Sequence, residues 1–254
     1  VWAVAFVDES QVVTGDENGG IRRWRIEGGQ QQGQTMQAGR RVHSITVSQD
    51  GRWIVSGDLG HKAILWNAAT HEKVLDITHN NSVNGVDISS NCTKFVAADC
   101  SVTDNVQLFG ITSGHRLLPP LSHCHNSGVK FSPDGSRFAT SSYGYGKITC
   151  LNVSNSSSSE WPIHETQSSA SIASNGIFIA CSAGKSVSLW DCASHEQIGS
   201  IITHTTEIRC VALSPSGGYL ACGVGYNITI HDLGGVLPSK YFVRGVSELR
   251  HCAT

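Results

Sequence analysis

Ile208-Arg209-Cys210-Val211-Ala212-Leu213-Ser214-Pro215-Ser216-Gly217-Gly218-Tyr219-Leu220-Ala221-Cys222-Gly223-Val224-Gly225-Tyr226-Asn227-Ile228-Thr229-Ile230-His231 decides the fold. Three short apolar runs are cut by two turn clusters. Pro, Ser and Gly in the first cluster, and Gly and Asn in the second, are residues that reverse a chain. Runs of this length, rich in Val, Ile and Thr and bounded by such turns, predict three successive strands, Ile208–Ser214, Tyr219–Gly223 and Ile228–His231. Lys240–Val243 is the candidate fourth.

The pattern recurs along the chain. The residue closing the third strand is Trp24, Trp66, Phe109, Leu151, Trp190 and His231, at spacings of 42, 43, 42, 39 and 41 residues. The opening strands, around Phe6, Val47, Ile88, Phe131, Ala173 and Leu213, keep the same step. Turns such as Ser48-Gln49-Asp50-Gly51 and Ser132-Pro133-Asp134-Gly135 fall at equivalent places. Two landmarks in step define a repeat, and a period near 40 residues predicts stacked supersecondary units.

Bulk properties agree. The chain has 254 residues, 27 glycines and one methionine, with 15% charged residues. That composition suits short strands and tight turns rather than amphipathic helices. A net charge of −2 gives no reason to expect nucleic acid or an acidic membrane surface as partner. No membrane-spanning run or secretory leader is visible, and the nine cysteines lack any CxxC pair. Several lie inside strands, as Cys181 and Cys222 do, where a thiol behaves as a small hydrophobe. Reduced thiols and a cytoplasmic location are the expectation.

At this point the residues resemble the WD-repeat family. Trp190-Asp191 is an intact Trp-Asp pair, with Trp24-Arg25, Trp66-Asn67 and His231-Asp232 as partial matches. The family's histidine before each opening strand has counterparts in His79, His123, His164 and His204. The resemblance implies an all-β propeller over residues 1–254, one domain of six complete four-stranded blades. It also implies structural roles for Trp24, Trp66, Trp190, His79, His164 and His204. The family's His–Ser/Thr–Asp–Trp tetrad is degenerate: His164, Ser182 and Trp190 supply three members in the fifth repeat, where Gly184-Lys185 takes the place of the acid. The tail from Glu248 lines up with Glu207, as the first strand of a seventh repeat would. Six-blade closure and a piece of a seven-bladed or longer array both remain open.

Aligning the repeats picks out one position just inside each opening strand: Trp2, His43, Asn84, Ser127, Ser169 and Arg209, with Arg250 in the tail. The resemblance implies that these ring one mouth and contact a partner. Trp and Arg are frequent interface anchors. Nearby loops add Arg41, Tyr145 and Tyr226. A protein or peptide partner is the leading expectation, with a glycan-binding, lectin-like propeller as the alternative. No aromatic repeats at equivalent loop positions, which weakens the glycan reading. His123-Cys124-His125 could suggest a metal, but alternate residues of an extended segment face opposite sides. No catalytic motif is present, and no enzyme activity, metal or cofactor is expected.

Overall fold

The computed structural model describes residues 1–8, 10–122, 126–132, 134–142, 147–154, 157–162, 170–174, 177–192, 194, 196–213, 217–224 and 227–242. They are almost entirely antiparallel strands, falling into two compact units, Val1–Ser169 and Ala170–Thr254.

The first unit holds four sheets in chain order. Ala3–Asp8, Gln11–Gly15, Gly20–Arg25 and Gln31–Gln37 form the first; Val42–Val47, Trp53–Asp58, Lys62–Asn67 and Lys73–Thr78 form the second. Val83–Ile88, Lys94–Asp99 and Val106–Gly110 form the third; Asn126–Phe131, Arg137–Ser142, Lys147–Asn152 and Ser158–Pro162 form the fourth. Each sheet is a meander, and the opening strands of successive sheets are neighbours.

Strand alternation explains the stacking. Ile54, Ile64 and Trp66 of the second sheet pack with Val13, Ile21 and Met36 of the first. Their chain neighbours Val55, Ala63 and Leu65 face the other way, into Phe95, Ala97 and Phe109 of the third. Val96 and Ala98 then turn toward Phe131 and Phe138 of the fourth. A single sheet leaves two apolar faces, and successive repeats cover them in turn. Sheets approach closely: a Cβ added at Gly57 would lie 2.8 Å from the carbonyl oxygen of Val83. Among the described residues of this unit, opening strands are not paired with one another, and polar side chains reach their backbone instead. Asp87 accepts the Phe131 N–H at 2.8 Å and the Lys130 Nζ at 3.0 Å, and the Ser44 hydroxyl accepts the Val86 N–H at 3.2 Å.

The second unit holds two sheets. The fifth is Ala170–Ser174, Phe178–Ala183, Ser186–Asp191 and Gln197–Thr203; the sixth is Ile208–Leu213, Tyr219–Val224 and Asn227–Asp232. Their shared core includes Phe178, Leu189, Val211, Leu220 and Tyr241.

Two of the six expected four-stranded blades differ among the described residues. In the third, the outer edge is reduced to single bridges, Phe109 with Arg116 and Val106 with Leu121. Pro119 and Pro120 lie between those bridges, and proline has no N–H to give a ladder. In the sixth, Lys240 and Tyr241 do not start a fourth strand: Ser239–Tyr241 is a 3-10 turn behind Pro238. Tyr241 is instead buried edge-on against Phe178.

Candidate functional site

Four of the aligned positions share a backbone cause. In the second sheet the pairing register shifts between Val42 and Ser44, leaving His43 as the extra residue of a bulge. The shift recurs around Asn84, Ser127 and Arg209, each the second residue of its opening strand. A bulge leaves one residue unpaired and re-aims its side chain. Trp2 precedes the first opening strand and donates its backbone N–H to the Gly15 carbonyl at 2.9 Å. His43 and Asn84 are half-buried, whereas Trp2 is exposed. The side chain of Arg209 is not described, and Ser169, Arg250, Tyr145 and Tyr226 lie outside the described residues, as do His164 and the His123–His125 cluster.

Three expected residues meet in the first unit. Trp2 Nε1 donates to Glu17 Oε2 at 2.6 Å, and Arg41 Nε donates to Glu17 Oε1 at 2.9 Å, with a second guanidinium nitrogen on the same oxygen. The Arg41 guanidinium carbon sits 4.2 Å from the centre of the Trp2 ring, and the His43 ring lies 6.1 Å away, tilted. Glu17 was not singled out in the sequence; its signal is the turn Asp16-Glu17-Asn18-Gly19, which carries it up beside Arg41. The Arg41 hydrogen bond holds the Glu17 carboxyl below its usual range. Burial pushes His43 below the ordinary imidazole value, and Arg41 adds to that. His43 Nε2 and Asp58 Oδ2 are buried polar atoms without a partner, and burial raises the Asp58 carboxyl. The result is an exposed indole braced by a cation, beside a half-buried imidazole. Such a surface offers flat apolar contact together with hydrogen-bonding groups.

Strand register also locates the degenerate tetrad. Trp24 Nε1 donates to Thr14 Oγ1 at 2.8 Å, and Trp66 Nε1 donates to Ser56 Oγ at 2.9 Å. Trp66 is buried, Trp24 half-buried. In each hairpin the hydroxyl residue pairs with the residue two before the Trp: Thr14 with Arg22, and Ser56 with Ile64. Two residues after the hydroxyl stands an acid. Asp16 accepts the N–H groups of Asn18 and Gly20, and Asp58 that of Lys62. In the third repeat the acid is Asp99, and fully buried His79 places Nδ1 at 3.1 Å from its Oδ2. Burial alone would raise Asp99, but His79 and the Ser101 N–H outweigh it and hold the carboxyl low.

The fifth repeat needs a correction. Ser182 pairs with Val187; Cys181 pairs with Ser188, two before Trp190, and so holds the hydroxyl position. Its hairpin closes between Ala183 and Ser186 over Gly184-Lys185, at φ 59° for Gly184, whereas the second repeat closes between Gly57 and Ala63. The shorter turn has no place for the acid. The same register in the sixth repeat puts Cys222 opposite Thr229, two before His231. His231 Nε2 and His204 Nε2 are 3.1 Å apart, and burial, with His204 alongside, lowers His231.

Among the described residues no helix is long and apolar enough to cross a membrane. The family described as WD domain, G-beta repeat matches residues 30–67 and 195–232. The chain is similar to THO complex subunit 3 of Arabidopsis thaliana, at 24% identity over 217 residues, covering 81% of this chain and 67% of that protein. The matched segments contain the Trp66 strand of the second repeat and the His231 strand of the sixth. Residues 30–67 and 195–232 are thus WD repeats of the G-beta type.

Proposed function

We propose that the chain is a non-catalytic scaffold that receives a protein or peptide partner at the rim carrying Trp2, Arg41, His43 and Asn84. The observation that carries this reading is the bulge that recurs in the second, third and fourth repeats of the first unit and leaves one residue of each unpaired at the start of its opening strand. At Trp2 that edge presents 53% of a tryptophan to solvent, held in place by Arg41 and Glu17. A pre-braced aromatic loses little freedom on binding, and Trp and Arg are the residue types that most often dominate interface energetics. The similar Arabidopsis protein is by its name a subunit of a complex, which agrees with a role in assembly. In the second unit, Arg209 holds the equivalent bulge position of its own repeat and is proposed as a contact residue there.

Photo-crosslinking residues at positions 2 and 84 test the reading. Both should capture the same partner peptide, and Trp2→Ala with Arg41→Glu should abolish that capture without loss of the folded state. Unrelated or unchanged capture would show that the partner sits elsewhere.

A further inference from the structure

We propose that His204, Cys222 and His231 form a binding site for a thiophilic d10 cation, Cu(I) or Zn(II), within the sixth repeat. One ligand atom from each residue lies within 4.8 Å of the other two. Cys222 is buried on the second strand, while His204 and His231 are half-buried on the preceding segment and the third strand.

The repeat itself shows how this cluster arises. Cys222 stands where Ser56 stands in the second repeat, and His231 where Trp66 stands. His204 stands where His79 stands in the third: each donates its backbone N–H at 2.8 Å to a hairpin carbonyl of the preceding sheet, from His61 and Lys185 respectively. The acid that engages His79, Asp99, is replaced by Val224. Four positions that elsewhere hold a hydroxyl–indole pair and a histidine–carboxylate pair have become two imidazoles, a thiol and a valine. His204 turns to His231, with rings 5.0 Å apart and nearly perpendicular.

The spacing suits a metal. Metal–nitrogen bonds of about 2.0–2.1 Å at tetrahedral to trigonal angles put two nitrogens about 3.3–3.6 Å apart. The observed 3.1 Å needs only a small opening. With all three ligand atoms within 4.8 Å of one another, Cys222 Sγ need move in by no more than about 1 Å to reach a metal–sulfur bond of about 2.3 Å. Thiolate and imidazole together select soft or borderline cations. On binding, the cation displaces the thiol proton to solvent, and the imidazole that carries hydrogen on Nε2 takes the Nδ1–H form. One thiolate and two neutral imidazoles balance Cu(I) to zero charge, which suits the edge of the apolar cluster around Leu220 and Val224. Zn(II) would keep one positive charge and a water on the exposed side.

The test titrates the full chain anaerobically against chromophoric chelators of Cu(I) and of Zn(II). The parent chain should withdraw one equivalent of at least one cation. Cys222→Ser and His231→Trp restore the residue types of Ser56 and Trp66 and should each abolish that step while remaining folded. His204→Gln, which lies before the strand, serves as the second variant should either of those fail to fold. X-ray absorption of the loaded chain should show one sulfur and two imidazoles on the metal. Withdrawal that is the same in Cys222→Ser and His204→Gln as in the parent, or a first shell without sulfur, would overturn the assignment.

Discussion

Arg41 lies over the face of Trp2, with its guanidinium carbon 4.2 Å from the ring centre, while Glu17 bonds both. Exposed ion pairs and cation–π contacts add little stability. Arg41→Ala should therefore leave the melting temperature almost unchanged, yet release the indole and weaken partner capture at position 2. A large drop in melting temperature would mean that the trio is a structural brace instead.

Ser56 and Thr14 make the same bond to a Trp in different surroundings. Trp66 is buried, so Ser56→Ala strands an N–H without water, at a cost of about 1–3 kcal/mol. Trp24 is half-buried, and water can replace the hydroxyl in Thr14→Ala. Urea titrations should rank Ser56→Ala as clearly the more damaging; equal costs would contradict the burial difference.

His79 and Asp99 form a buried pair in the third repeat. His79→Ala leaves the Asp99 carboxylate with the Ser101 N–H and no imidazole, and should cost about 3–5 kcal/mol. Asp99 is held below its ordinary value of 3.8, so its share of the stability is present above that value and is lost as the pH falls through the lower folded value. Denaturation between pH 2 and pH 6 should show a smaller acid-induced loss in Asp99→Asn than in the parent. An unchanged acid limb would rule the pair out as its source.

Asp58 has the opposite sign. Burial raises it above 3.8, so the folded state holds its proton longer and stability falls as the pH rises through the folded value. Asp58→Asn keeps an oxygen for the Lys62 N–H and removes the buried charge. Its advantage over the parent should be greatest at neutral pH and shrink toward pH 3.8. A constant difference across that range would assign the effect to packing.

Some of this could be read in one dimension. The repeat period, the turn clusters and the alternation of Ile54 with Val55 are local or periodic facts, so strands, hairpins and doubly covered sheets follow from the sequence. The ring position emerged from alignment alone, because His43, Asn84 and Arg209 keep one phase. Its cause did not, since a bulge depends on the partner strand: the shift between Val42 and Ser44 exists only against Asp58 and Gly57. Nor did the reassignment from Ser182 to Cys181, which depends on how many residues the hairpin spends in its turn. The lost edge of the third sheet was written in Pro119 and Pro120, but its meaning required knowing which strand they would join. Glu17, Arg41 and Trp2 come from three separated segments, as do His204, Cys222 and His231. The sequence by itself determined which residues form strands and which of them share a repeat position. Tertiary structure decided which side chains meet, because contacts between segments depend on strand register and sheet stacking, and neither is encoded within one short window.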